Sequence, residues 1–205
     1  SKQLGSIYAR LCEGKQVPSC VLLTAGPAAG KTSLMSQIIV TSLGGQLMPI
    51  LVRVQRLQAR LLSDGDTFAA SWNWIDAYLM LEWGGASPYY LMLRQAMVAR
   101  RALLLIDGLD EGGLKREEIE IHVVLLARQG HVLLATSRPA GISDARFKGF
   151  HRLSLSPLSE AQQQLALEQR LGPERAAKLL PYLEKTVPRD EAARGQEKQK
   201  KKQRV

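Results

Sequence analysis

Short apolar runs alternate with longer amphipathic segments along most of the chain. Runs such as CVLLT, ALLLID and HVLLATS are almost entirely apolar, which is typical of strands buried on both faces. The segments between them space their apolar residues as one face of a helix does. Because the two patterns alternate, the sequence predicts a parallel sheet covered by helices on both faces, with functional residues at the carboxyl ends of the strands.

The same patterns give the approximate bounds of each element. Strands are predicted, in chain order, at 19–26, 48–55, 102–107, 131–137 and 151–158. Helices are predicted at 2–13, 32–43, 57–63, 66–82, 88–100, 115–128, 160–171 and 173–185. Ser159 is a suitable cap for the start of helix 160–171, and Gly172 ends it. The residues of helix 115–128 expected to face inward are Ile119, Ile121, Val124, Leu125 and Ala127.

All three tryptophans of the chain fall in one short segment. Large aromatic side chains usually fill cores, so this segment is predicted to form a helix face packed on the sheet. A partner-binding surface is the alternative. The residues concerned are Trp72, Trp74, Ile75, Tyr78, Leu79 and Trp83.

Composition and charge add a size limit and a distinct carboxyl-terminal end. With 205 residues, 45% of them hydrophobic, the chain fits one substantial domain and part of a second. The net charge is +9, and part of it lies in residues 188–205, which have no apolar period and are expected to be disordered. We expect this tail to be a solvated end. Contact with nucleic acid, an anionic membrane or an import receptor is the alternative.

The sequence favours a cytoplasmic protein. No apolar stretch approaches the ~20 residues of a membrane span, and no basic start leads into a signal-peptide core. Cys12 and Cys20 lack metal-binding spacing and are expected to be buried thiols in a reducing compartment, although a disulfide between them stays open. Because the chain begins without Met, we expect it to be an excerpt of a longer protein.

A glycine-rich segment, TAGPAAGKTSL, joins the first strand to the next helix. Its glycines let successive N–H groups point at phosphate oxygens, Lys31 can reach the terminal phosphates, and the Thr32 hydroxyl can ligate Mg²⁺. Ala25 stands where the pattern GxxxxGK[ST] has its first glycine, so Gly26 can take the special backbone conformation instead. A chance glycine turn is the alternative. The predicted nucleotide-binding residues are Gly26, Pro27, Ala28, Ala29, Gly30, Lys31, Thr32 and Ser33.

Two further strand ends carry candidate chemistry. The run RALLLIDGLDE delivers Asp107 to the carboxyl edge of the sheet, where it can hold Mg²⁺, and either Asp110 or Glu111 can orient or deprotonate a water. The run HVLLATSRP places Thr136, Ser137 and Arg138 just beyond a strand expected between the other two motif strands. Arg138 can then sense a γ-phosphate. A polar turn and a surface arginine are the respective alternatives.

These three motifs together resemble the NACHT family of signal-transduction ATPases. The resemblance rests on AGPAAGKTSL, LLLIDGLDE and LLATSRP, and it covers roughly residues 15–185. It implies a three-layer P-loop NTPase with a central, mainly parallel sheet, followed by a helical domain and a winged-helix domain. Of these two, this sequence is expected to contain only the start of the helical domain. The implied division is a leading helix at 1–14, the nucleotide-binding domain at 15–157, the start of the helical domain at 158–187 and the basic tail at 188–205.

The resemblance also implies roles for individual residues. Lys31 binds phosphate, Thr32 and Asp107 hold Mg²⁺, Asp110 or Glu111 supports hydrolysis, and Arg138 is the first sensor. The family's later nucleotide contact, a histidine of the winged helix, has no counterpart. The histidines of this chain are expected to be structural or surface residues, and they are His122, His131 and His151.

The implied function is a switch that binds ATP or ADP, hydrolyses ATP slowly, and contacts flanking domains or a second copy. A dedicated AAA+-like ATPase is the first alternative, with Arg100 or Arg101 as a possible arginine finger supplied in trans. A nucleotide-binding scaffold without turnover is the second. The input signal and the output are not readable from this sequence.

Overall fold

The computed structural model describes residues 19–27, 29–156 and 158–186. The predicted helix 2–13, Cys12, Ala28 and the basic tail lie outside these residues. The chain divides into two compact units, Ser1–Leu155 and Ser156–Val205, and each is described by itself.

A five-stranded parallel sheet forms the centre of the first unit. The strands are β1 (Cys20–Thr24), β2 (Met48–Arg53), β3 (Ala102–Asp107), β4 (Val132–Ser137) and β5 (His151–Ser154). Their order across the sheet is β2-β3-β4-β1-β5, so β4 lies between the two motif strands as predicted. The register pairs Thr24 with Ser137 and Arg53 with Asp107, which brings the carboxyl ends of four strands to one edge.

Six helices are formed by the described residues of the first unit. They are α1 (Lys31–Ser42), α2 (Val54–Ser63), α3 (Gly65–Ala70), α4 (Trp74–Trp83), α5 (Pro88–Val98) and α6 (Arg116–Arg128). Short 3₁₀ turns occupy Leu109–Glu111, Gly113–Lys115 and Pro139–Gly141. In the second unit, α7 (Glu160–Leu171) begins with a capping box between Ser159 and Gln162, and α8 spans Pro173–Thr186. None of the helices in the described residues is long and apolar enough to cross a membrane.

The single helix predicted at 66–82 is wrong, because the structure divides it into α3 and α4. Ser71 ends α3 in an extended conformation, and its hydroxyl donates to the carbonyl oxygens of Phe68 and Asn73. Asn73 then caps α4 by accepting a hydrogen bond from the Asp76 N–H at 2.8 Å. Polar side chains that bond to nearby backbone compete with helix formation, and here they create a break.

The inward face predicted for α6 is also partly wrong. Ile119, Val123 and Leu126 are buried, whereas Ile121 is 53% exposed and Leu125 is 46% exposed. Positions 119, 123 and 126 follow the spacing of one helical face, which Ile121 and Leu125 do not share. Glu120 lies buried beside this face and was not anticipated from the sequence.

Glu120 holds the segment after β4 against α6. Its carboxylate accepts hydrogen bonds from Arg146 Nη1 at 2.6 Å and from Arg116 Nε at 3.1 Å, and its side chain is only 2% exposed. The neighbouring Phe147 is fully buried. The ion pairs therefore fix the position of a segment that also contributes to the core.

We expect the Glu120→Gln variant to lose about 3 kcal/mol of unfolding free energy, the low end of the range for a buried pair, since both arginines keep some contact with water. Urea unfolding at neutral pH measures the change. The matched control is Glu118→Gln on the same helix, where an exposed carboxylate pairs with Lys115 and should contribute less than about 1 kcal/mol. Equal losses in the two variants would contradict the proposed role of Glu120.

The aromatic segment is part core and part surface. Ile75, Tyr78 and Leu79 are buried, as predicted, whereas Trp72 is 47% exposed and Trp83 is 53% exposed. Core packing therefore accounts for the interior of α4, and it does not account for these two tryptophans.

The three histidines take structural or surface positions. His122 stacks on Trp74 with ring centroids 4.8 Å apart, and its Nε2 accepts the Trp74 N–H. His131 is fully buried beside Arg100, and His151 is exposed. Burial lowers the pKa of both His122 and His131 to about 4, so both rings are neutral at pH 7.

Candidate phosphate and magnesium site

The glycine-rich loop runs from the end of β1 to the start of α1. Gly30 precedes α1 with a φ of 89°, in the left-handed region that favours glycine, and its carbonyl accepts the first helical hydrogen bond, from Leu34 N–H. The special conformation therefore falls on Gly30, and Gly26 does not have a positive φ. Ala25 instead continues the ladder with β4, since its N–H donates to the Ser137 carbonyl at 3.1 Å. Ala25 does not have a positive φ, so an alanine is compatible with this position.

Lys31 folds back over the loop. Its Nζ donates to the carbonyl oxygens of Ala25 at 3.0 Å and of Gly26 at 3.1 Å. An ammonium group held by two neutral carbonyls at a partly exposed site can exchange them for phosphate oxygens, which are stronger acceptors. Lys31 therefore lies at the loop in a position from which it can bind an anionic ligand.

Asp107 joins the loop to the neighbouring strands. Thr32 Oγ1 donates to Asp107 Oδ2 at 3.1 Å, and Thr136 Oγ1 donates to Asp107 Oδ1 at 2.7 Å. Thr136 Oγ1 also accepts the Gly108 N–H at 2.9 Å, so the hydroxyl fixes both the carboxylate and the turn after β3. The third motif includes Thr136, for which the sequence predicts no role, and the structure places it within β4.

The donor set fits Mg²⁺. The Thr32 hydroxyl and the Asp107 carboxylate offer oxygen atoms 3.1 Å apart, and Mg²⁺ prefers oxygen ligands. The described residues contain no group of three His, Cys, Asp or Glu side chains that could hold a metal. An ion here would complete its shell with water and phosphate oxygens, as Mg²⁺ usually does in phosphate sites.

The two other acidic residues of the motif have different surroundings. Asp110 Oδ1 accepts a hydrogen bond from the Arg138 N–H at 3.0 Å, and Oδ2 forms an ion pair with Arg138 Nε at 2.9 Å. Glu111 is exposed, and its side chain makes no hydrogen bond or ion pair with the other described residues. Gly108 has a φ of 83°, and a Cβ at this position would lie 3.1 Å from Glu111 Cδ. The glycine therefore lets the Glu111 side chain fold back toward the end of β3.

The structure gathers most predicted site residues at one edge of the sheet. Lys31, Thr32, Asp107, Asp110 and Arg138 lie there, linked by the contacts above. Three loop residues have no such contact within the described part of the chain: Pro27 and Ser33 are exposed, and Ala29 is half-buried.

The predicted site lies at the carboxyl edge of the sheet, where Thr32, Glu111 and Arg138 are exposed. A cavity of about 440 Å³ lies instead near the amino-terminal end of β1, where Cys20, Arg128 and Phe150 line it. None of the predicted site residues contributes to that cavity. We place the site by its polar contacts and strand ends, because a phosphate loop binds its ligand at a surface of backbone N–H groups.

Solved structures of other proteins share this architecture. One is a DNA replication initiation factor, with a TM-score of 0.57 and 13% identity over 98% of this chain and 60% of that chain. Another is domain III of the Thermotoga maritima replication initiation protein DnaA, with a TM-score of 0.54 and 13% identity over 89% of this chain and 74% of that chain. A third is the replication initiator DnaA bound to AMPPCP and single-stranded DNA, with a TM-score of 0.55 and 14% identity over 97% of this chain and 64% of that chain.

No family model matches the sequence, and no curated protein matches it. The NACHT resemblance therefore stays a prediction, and the chain spans 60% of the length of the first solved structure. At these identities the likeness concerns the fold alone. Together with the five parallel strands and flanking helices, it confirms the predicted fold class: the chain has the α/β fold of P-loop NTPases.

Proposed function

We propose that this chain binds ATP with Mg²⁺ through the loop 26–33 and Asp107, and hydrolyses it slowly. The observation that carries the proposal is the 3.1 Å contact between Thr32 Oγ1 and Asp107 Oδ2. The two residues are 75 positions apart in the chain: Thr32 lies in the first turn of α1, and Asp107 is the last residue of β3. A hydroxyl at a phosphate loop and a carboxylate at the end of another strand of the sheet are what a Mg-nucleotide site requires.

Each residue has a distinct part in this proposal. The loop N–H groups and the start of α1 attract phosphate, and Lys31 exchanges its two carbonyl contacts for phosphate oxygens. Thr32 and Asp107 hold the metal, which when bound would offset the charge of the phosphates. Thr136 keeps the Asp107 carboxylate in place through its 2.7 Å hydrogen bond. A replication initiator of the same fold is bound to AMPPCP, which supports a nucleotide as the ligand.

We further propose that the nucleotide state is a signal, as the resemblance to NACHT proteins implies. ATP and ADP differ by the γ-phosphate, so a residue that binds this group can make the two ligands favour different packings. Those packings would involve flanking domains or a second copy of the chain. A dedicated ATPase stays the alternative: of its two possible arginine fingers, Arg100 contacts the buried His131, whereas Arg101 is exposed.

The Asp107→Asn variant tests the site. We expect wild-type protein to bind a fluorescent ATP analogue more tightly as Mg²⁺ is added, and the variant to lose most of that dependence, since a neutral amide is a weaker ligand for a hard cation. Fluorescence anisotropy at several Mg²⁺ concentrations measures both. Asp66→Asn, an exposed acid on α3, is the matched control. An unchanged Mg²⁺ requirement in Asp107→Asn would place this residue away from the metal.

A further inference from the structure

Asp110 is fully committed to Arg138. One carboxylate oxygen accepts the Arg138 backbone N–H at 3.0 Å, and the other forms an ion pair with the guanidinium, 2.9 Å from its Nε. The Asp110 side chain is 11% exposed, whereas that of Arg138 is 56% exposed. Asp110 therefore grips the arginine at two points, its backbone and the near end of its guanidinium.

The far end of the Arg138 guanidinium remains open. Its Nη1 and Nη2 atoms make no hydrogen bond or ion pair with any residue that the structure describes. A guanidinium is a rigid plane with five donors, so fixing Nε also fixes the direction of the two terminal nitrogens. Arg138 is in this way an oriented cation with unused donors.

Arg138 also starts beside the phosphate loop. Ser137 pairs with Thr24 in the sheet, and its carbonyl accepts the Ala25 N–H at 3.1 Å. Arg138 directly follows β4, and the first residue of the phosphate loop, Ala25, directly follows β1, so the two lie next to each other. Asp110 thus orients an arginine whose backbone adjoins the loop that Lys31 covers.

We propose that Asp110 is the positioning residue of Arg138: it holds the guanidinium so that the terminal nitrogens bind the γ-phosphate, and it does not activate water. The proposal rests on the proposed function, because it assumes ATP in the site. The proposal gives Asp110 and Glu111 different roles, whereas the sequence motif did not distinguish them. One Asp110 oxygen accepts the Arg138 backbone N–H and the other forms an ion pair with the guanidinium, which leaves Asp110 less suited than the unpaired Glu111 to take a proton from water.

The preference for a triphosphate over a diphosphate is the quantity to measure. Dissociation constants for AMPPCP and for ADP, both with Mg²⁺, give a ratio for each variant. In Asp110→Asn, one atom of the amide is a donor and faces an Arg138 N–H, so the arginine loses its fixed orientation. We expect the preference for AMPPCP to fall about tenfold, the loss typical of one charged hydrogen bond, while ADP affinity stays unchanged.

A double-mutant cycle shows whether the two residues act as one unit. Arg138→Ala should lose the same preference, and the double variant should lose no more than either single variant. Arg138→Lys leaves Asp110 intact and should also lose the preference for AMPPCP. A lysine has one ammonium nitrogen, which cannot pair with Asp110 and also place two further nitrogens on the phosphate as a guanidinium does. Glu118→Gln, an exposed acid of the same region, should keep the wild-type ratio.

The outcomes separate this inference from the proposed function. If wild-type protein binds neither nucleotide, the proposed function fails and this inference fails with it. If wild-type protein binds both, but Asp110→Asn and Arg138→Lys keep the wild-type ratio, Asp110 does not position a γ-phosphate ligand and only this inference is overturned. Additive losses in the double variant would also overturn it, since two independent residues would then be acting.

Discussion

The Lys31→Ala variant should lose ATP binding by roughly a hundredfold or more, the effect of removing two charged hydrogen bonds from one ligand. Lys31 is the cation held at the glycine-rich loop, where its Nζ lies 3.0 Å and 3.1 Å from two loop carbonyls. Those carbonyls are neutral acceptors, and replacing them with phosphate oxygens gains charge-assisted hydrogen bonds. Without Lys31 the loop 26–33 keeps its backbone N–H groups, two hydroxyls and the start of α1, but it has no cation for a highly charged ligand.

Titration with a fluorescent ATP analogue measures this loss. Lys148→Ala is the matched control, because Lys148 is exposed and lies beside the cavity near the start of β1, away from the predicted site. The melting temperature of both variants should stay close to the wild-type value, since the hydrogen bonds of the Lys31 ammonium group to described residues go to two carbonyls of its own loop. Unchanged affinity in Lys31→Ala would remove the phosphate-loop assignment, whereas a loss shared by Lys148→Ala would point to general electrostatic attraction.

Local sequence was sufficient for the sheet and for the loop that follows its first strand. Uniformly apolar runs predicted β1, β3 and β4 because both faces of these central strands are covered, and residues such as Leu22, Leu104 and Ala135 are fully buried. Motifs at strand ends converge in any parallel sheet, so the neighbourhood of Thr32 and Asp107 followed from topology. These predictions needed only the chain order and the periodicity of side chains.

Features that depend on long-range partners could not be predicted in the same way. Thr136 contributes to the site through its contacts with Asp107 and Gly108, and nothing in its own segment distinguishes it from a buried strand threonine. The sequence alone suggests that Glu120 is exposed, and only its contact with Arg146 in the structure explains its burial. The difference between Asp110 and Glu111 likewise depends on Arg138, which lies 28 positions from Asp110.

Glu111 is the remaining candidate for the hydrolytic step once Asp110 is assigned to Arg138. It is exposed, it makes no hydrogen bond or ion pair with the other described residues, and the positive φ of Gly108 lets its side chain approach the end of β3. Leu109 is fully buried and anchors the short turn that carries both acids. A carboxylate with free oxygens on an anchored turn next to Asp107 can orient or deprotonate a water.

The Glu111→Gln variant should therefore hydrolyse bound ATP about 10²–10⁴-fold more slowly, with nearly unchanged affinity. A group that acts chiefly in the transition state lowers kcat and leaves binding intact, whereas Lys31 and Asp107 act on the bound ligand itself. Single-turnover hydrolysis, with the dissociation constant measured in parallel, separates the two effects. Asp110→Asn is the informative comparison, because its expected effect is on the preference for triphosphate over diphosphate. If Glu111→Gln slows turnover less than about tenfold, it supplies no base or water-positioning contribution of the expected size. If Asp110→Asn is equally mild, the domain is better described as a nucleotide-binding switch without hydrolytic machinery of its own.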